Sequence, residues 1–126
     1  MLEPGDDAYV GGDESALTQV FVNLLGNAIK FTPSGGDIKI SLQRMNAGIE
    51  VSIIDTGIGI PSEDIPLLFT RFFRGSNAIL NEIPGTGIGL FLVQSIIEKH
   101  NGKIKVRSYV GNGSQFDVWL PVDQPV

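Results

Sequence analysis

The sequence predicts a two-layer α/β (α+β) domain, in which about three helices cover one face of a mixed, mostly antiparallel sheet of about five strands. Three observations lead there. ESALTQVFVNLLGNAIKF and LFLVQSIIEKH repeat their apolar residues at helical spacing. GDIKISLQ with GIEVSIID, and KIKVRSYV with SQFDVWLP, alternate at the two-residue period of strands. Turn-forming residues separate the members of each pair, as an antiparallel hairpin requires.

In chain order, DAYVGG reads as a short edge strand. Asp13 is suited to cap the first helix, since its carboxylate can accept from the free N–H groups of a helix start. That helix runs to about Phe31 and stops before Pro33. Leu17, Phe21, Leu24, Ala28 and Phe31 step by four and three, forming a stripe that can lie on a sheet. The first hairpin turns near Asn46 and Gly48. LFTRFFRGSNAILNEIP then sets Phe69, Phe72 and Phe73 beside Arg71 and Arg74 before a stretch without period, which reads as a mobile lid with Phe69 in the core. Asn101-Gly102 closes the second helix, and GNG turns the last hairpin.

Length and composition bound the function. With 126 residues, 42% hydrophobic and 18% charged, the chain reads as one domain, 1–126, with a core from about 8 to about 121. The absence of cysteine excludes disulfides, thiolate metal sites and a cysteine nucleophile, and suits a reducing compartment, so a cytoplasmic location is expected. A net charge of -5 argues against nucleic acid and against direct membrane contact. No apolar run has the length of a bilayer span, so the chain reads as soluble.

Three stretches carry chemistry. Asn23, Asn27 and Lys30 share a helical stripe beside Val20, Leu24 and Leu25. Asparagine is unfavourable inside a helix and needs partners when half buried; an Asn carbonyl suits Mg²⁺, and Lys30 can reach a phosphate. Solvated or mutually bonded side chains are the plain alternative. In IEVSIIDTGIGIP, parity places Asp55 on the apolar face with Ile49, Val51 and Ile53. A buried carboxylate needs a donor, which the amine of adenine can supply, and Gly57 and Gly59 leave room for a flat base. A turn capped by Asp55 is the alternative there. Gly85, Gly87 and Gly89 alternate ahead of the second helix, where free N–H groups and the helix dipole attract phosphate. Their spacing matches neither the dinucleotide-binding G-x-G-x-x-G nor the P-loop, and the H-R-D and D-F-G triplets of eukaryotic-type protein kinases are missing.

NLLGNAIKFTP, DTGIGIP, LFTRFFRG and GTGIGL, in this order, resemble the N box, first glycine box, phenylalanine box and second glycine box of sensor histidine kinases. EKHNGKIKVRS and GNGSQFDVWLP extend the resemblance to Pro121. It implies the catalytic, ATP-binding domain with the Bergerat fold, with ATP and Mg²⁺ as ligands. Carried over, it makes Asn27 the magnesium ligand, with Asn23 toward the phosphates and Lys30 on a phosphate. Phe31 would line the adenine, Asp55 would accept from its amine, and Gly57, Gly59 and Ile60 would form that wall. Gly85, Thr86, Gly87, Gly89 and Leu90 would surround the phosphates. Arg71 or Arg74 would steady the transferred phosphoryl group or meet a partner domain. Pro84 stands where the family often has another glycine, which bears on the lid hinge.

The implied reaction presents ATP to a histidine on a separate dimerisation domain, absent from this chain, with a response regulator as the indirect partner. His100 is the single histidine and stands in the last turn of the second helix, where a structural role is expected. The chain by itself is expected to be a monomer that binds ATP without labelling itself. Related ATPases and anti-sigma-factor serine kinases share the fold but carry a glutamate base where this chain has Asn23, which cannot take a proton. A non-catalytic nucleotide-sensing or interaction module is the other alternative.

Overall fold

A computed structural model describes residues 11–70, 74 and 89–122. Among them the order is α1 (Glu14–Phe31), β1 (Ile38–Met45), β2 (Gly48–Asp55), a 3-10 turn (Ile65–Leu67), α2 (Gly89–Lys99), β3 (Lys103–Tyr109) and β4 (Gly113–Pro121). The strands form one sheet in the order β1-β2-β4-β3, antiparallel at every pairing. This is the expected α+β architecture, with four strands and two α-helices among the described residues in place of about five and about three. Most of the expected edge strand DAYVGG and most of the expected lid lie outside the described residues.

α1 starts where its cap is. Asp13 Oδ1 accepts from the Ala16 N–H at 3.1 Å, and Lys30 lies in the last turn, where the helix dipole favours a cation. The buried line of α1 is Val20, Leu24 and Ala28, flanked by the partly buried Leu17, Phe21 and Leu25. It is rotated from the stripe read in the sequence, because α1 packs against α2 as well as the sheet. Val20, Leu24 and Ala28 join Val93 and Ile97 of α2 over Ile53, Phe116, Val118 and Leu120 of the sheet. A stripe drawn for one burying surface misses the residue that two surfaces share.

The hairpin turns explain themselves locally. Met45 pairs with Gly48, so Asn46 and Ala47 form a two-residue turn, with φ of 50° and 59°. Positive φ at both central positions matches the right-handed twist of the flanking strands. Asn46 tolerates it, whereas the Ala47 methyl group is crowded there. Ala47→Gly is therefore expected to stabilise the domain by about 0.5–1 kcal/mol, seen as a higher urea midpoint at unchanged slope. At the end of α2, Asn101 takes φ 60°, and the Asn101 and Gly102 N–H groups donate to Glu98 O at 3.1 Å and Ile97 O at 2.9 Å. These bonds satisfy the last carbonyls of the helix.

Candidate functional site

The first glycine stretch is held from both sides. Ile58 N–H donates to Phe31 O at the end of α1 at 3.0 Å, and Thr56 N–H donates to Asp37 O at 3.1 Å. From the other side, Gly111 N–H donates to Ile58 O at 2.8 Å and Ile60 N–H to Ser108 Oγ at 2.7 Å. DTGIGIP is thus clamped between the end of α1 and the β3–β4 turn. A Cβ at Gly57 would overlap Phe31 O, and one at Gly59 would overlap Tyr109 O. The glycines are required by backbone-to-backbone contact within the fold itself, in addition to any ligand they face.

Asp55 ends β2 on the core side of the sheet and is only 6% exposed. Its Oδ1 accepts from Gly57 N–H at 2.8 Å and Ser114 N–H at 3.2 Å. Burial pushes its carboxyl up, and these two N–H groups pull against that rise without cancelling it. The folded state therefore holds the Asp55 proton more tightly than the unfolded chain. Its contribution to stability is fully present below the unfolded value and is lost as pH rises through the folded one. Ser114, whose N–H helps hold Asp55, was not singled out in the sequence; only the register, which pairs it with Asp55, reveals it.

Along α1, Asn23 and Asn27 are both half-buried. Asn23 Oδ1 accepts from Gln19 Nε2 at 3.0 Å. The Asn27 side chain has no hydrogen-bond partner among the described residues. Gly89, the first residue of α2, faces Asn23, whose Cγ would lie 4.0 Å from a Cβ placed there. Lys30 is exposed, while Phe31, Ile60, Leu90 and Arg74 are half-buried, with Ile60 and Leu90 against the core. The fold thus gathers Phe31, Asp55, Gly57 and Gly59 at one end of α1, and Asn23 with Gly89 farther back along it. Asn23 and Phe31 are eight residues apart, about 12 Å of helix. Arg71, Gly85, Thr86 and Gly87 lie outside the described residues, as do Phe72, Phe73 and Pro84.

Thr32, next to Phe31, adds an unforeseen feature: its Oγ1 is buried and has no hydrogen-bond partner among the described residues. Among the described residues no three His, Cys, Asp or Glu side chains gather into a metal cage. A cation that keeps most of its water and takes one protein oxygen is the kind that the Asn27 amide fits. His100 is engaged elsewhere. Its Nε2 accepts from the Asp13 N–H at 3.0 Å and its Nδ1 lies 2.8 Å from Ile96 O, so the ring ties the start of α1 to α2.

Comparison with known proteins gives a concordant picture. Residues 12–124 match the family model described as histidine kinase-, DNA gyrase B-, and HSP90-like ATPase. The sensor-like histidine kinase SenX3 of Mycolicibacterium smegmatis is 40% identical over 110 residues, covering 87% of this chain and 29% of that protein. Among solved structures, the mycobacterial sensor histidine kinase MprB superposes with a TM-score of 0.83 at 35% identity, over 93% of this chain and 78% of that one. Full-length ShkA in complex with AMPPNP gives 0.79 at 25% identity, over 95% of this chain and 24% of that one. The chain spans less than a third of the SenX3 relative that it matches.

Proposed function

This chain belongs to the histidine kinase-, DNA gyrase B- and HSP90-like ATPase family, and from that membership we propose that it is the ATP-binding catalytic domain of a sensor histidine kinase in a two-component system. It presents the γ-phosphate of ATP to a histidine on a separate dimerisation domain, from which a response regulator is served. A cytoplasmic location goes with that role. The observation that carries the reading is Asp55, a carboxylate 6% exposed at the end of a core strand, with one oxygen held by two backbone N–H groups. An oriented, dehydrated acceptor of this kind suits a single amine donor such as that of adenine.

Each residue then has a part. Asp55 accepts from the adenine amine, and Phe31 with Gly57, Gly59 and Ile60 lines the base. Asn23 and the start of α2 at Gly89 and Leu90 take the phosphate end, and the family resemblance assigns Gly85, Thr86 and Gly87 to the phosphates as well. Lys30 supplies positive charge to a phosphate, and Arg71 or Arg74 steadies the transferred group or meets the histidine domain. The Asn27 carbonyl oxygen would hold magnesium, which when bound would supply charge neutralisation for phosphoryl transfer. The chain's own contribution is positioning and electrostatics, because an imidazole nucleophile needs no protein base to remove a proton. Asn23, an amide already accepting from Gln19, accords with a site that lacks such a base.

Mixing this chain and ATP–Mg²⁺ with the matching histidine domain tests the reading. Terminal phosphate label should appear on the histidine domain and not on this chain. Nucleotide binding without transfer would replace the kinase reading by that of a nucleotide-sensing module, and absence of nucleotide binding would remove both. Asn27→Ala is expected to abolish the magnesium-dependent gain in ATP affinity, about tenfold or roughly 1.4 kcal/mol. Titration of ATP with magnesium and with a chelator measures it directly; an unchanged gain would remove Asn27 from the metal.

A further inference from the structure

The outer face of the sheet, away from α1 and α2, bears an arrangement that the nucleotide site does not use. Strand parity places Trp119 there between Glu50 and Lys103, and Asp117 between Ser52 and Lys105. Trp119 is fixed. Its Nε1–H donates to Met45 O at 2.7 Å, and the bare Gly48 seats the indole, which a Cβ would overlap. With Met45, Glu50, Asp117, Lys103 and Lys105 it lines a cleft of about 310 Å³.

The charges around this indole are not equivalent. Asp117 is 5% exposed and accepts from Ser52 Oγ at 2.6 Å, Gln115 Nε2 at 2.9 Å and Arg107 at 3.3 Å, so its carboxylate is satisfied within the face. Lys103 and Lys105 are exposed and have no side-chain partner among the described residues. Within the strands, this face holds Lys39, Lys103, Lys105 and Arg107 against Glu50 and Asp117. Four of the nine cations and two of the fourteen acids make it +2, which leaves -7 for the rest of a chain whose total is -5. Lysines on an outer strand discourage unwanted pairing, but that duty needs no anchored aromatic beside them. A rigid tryptophan within a charged rim is the composition of a contact surface, the ring supplying affinity and the rim supplying steering.

The geometry points to a docking site for an acidic segment of a partner protein, whose carboxylates meet Lys103 and Lys105 while an apolar side chain lies on Trp119. This surface is independent of the nucleotide site. Trp119 is the single tryptophan of the chain, so its fluorescence reports the cleft alone. The probes are a synthetic peptide of alternating glutamate and leucine and its lysine–leucine counterpart. The acidic peptide should give a saturable change that salt weakens, and the basic peptide none. Combining Lys103→Glu with Lys105→Glu should lower the affinity about tenfold or more and leave ATP binding unchanged, with circular dichroism checking the fold. Absence of saturable binding, equal response to both peptides, or an unaffected double variant would overturn the proposal. Tighter binding of phosphatidylserine vesicles or of a single-stranded oligonucleotide than of the acidic peptide would overturn it as well.

Discussion

Asp55→Asn is expected to lower ATP affinity on the order of 100-fold, or about 3 kcal/mol, while leaving the domain at least as stable at neutral pH. The two halves of this result have separate causes. Asparagine is isosteric, and its Oδ1 can still accept from the Gly57 and Ser114 N–H groups that hold Asp55 Oδ1. Its other group is an NH₂, which meets the adenine amine donor to donor, so a charge-assisted bond is replaced by an unsatisfied one. Stability moves the other way because burial raises the Asp55 carboxyl. The wild-type fold gains from Asp55 at acid pH and loses that gain as pH rises through the folded value, whereas asparagine carries no such dependence. Isothermal titration with ATP–Mg²⁺ and urea unfolding at acid and neutral pH test both parts. An unchanged affinity would remove Asp55 from the base site. A marked destabilisation at neutral pH would contradict the account of its burial.

Gly59→Ala should cost about 3 kcal/mol of stability and carry nucleotide binding down with it. Gly59 takes φ 77°, a left-handed conformation that an alanine adopts at a cost. The added methyl group would also overlap Tyr109 O, which is backbone and cannot rotate away. Relief requires the glycine stretch to part from the β3–β4 turn, breaking the Gly111–Ile58 and Ile60–Ser108 bonds that hold it. Asp55 is four residues away on the same segment, so its aim is lost with the clamp. A thermal midpoint lowered by roughly 10 °C is the expected reading for a domain of this size. A variant as stable as the parent would show that the turn is free to move.

Much of this was legible in the residues. The alternation of GIEVSIID aimed Asp55 at the core side, and burial to 6% exposure agrees. Asp13, Asn101 and Gly102 marked helix ends through local hydrogen bonding, which needs no distant partner. Val20 was less legible, since its burial comes from α2 as well as the sheet. Ala47 in a left-handed turn carries no propensity signal, because the pairing of Met45 with Gly48 imposes it. Ser114 and the unpartnered Thr32 Oγ1 were likewise beyond reach. Each depends on which segment lies next to which.

The same division applies to the molecule as a whole. The α+β class, the hairpins, the helix ends and the residues of a candidate nucleotide site could be read from the residues, because period, capping and turn chemistry act over a few neighbours. Packing between distant segments is what makes Gly57 and Gly59 serve backbone contact, sets Gly89 opposite Asn23, and places Trp119 in a cleft with Lys103, Lys105, Glu50 and Asp117. Those outcomes rest on strand register and close packing between segments far apart in the chain, where a shift of one residue reverses every side chain.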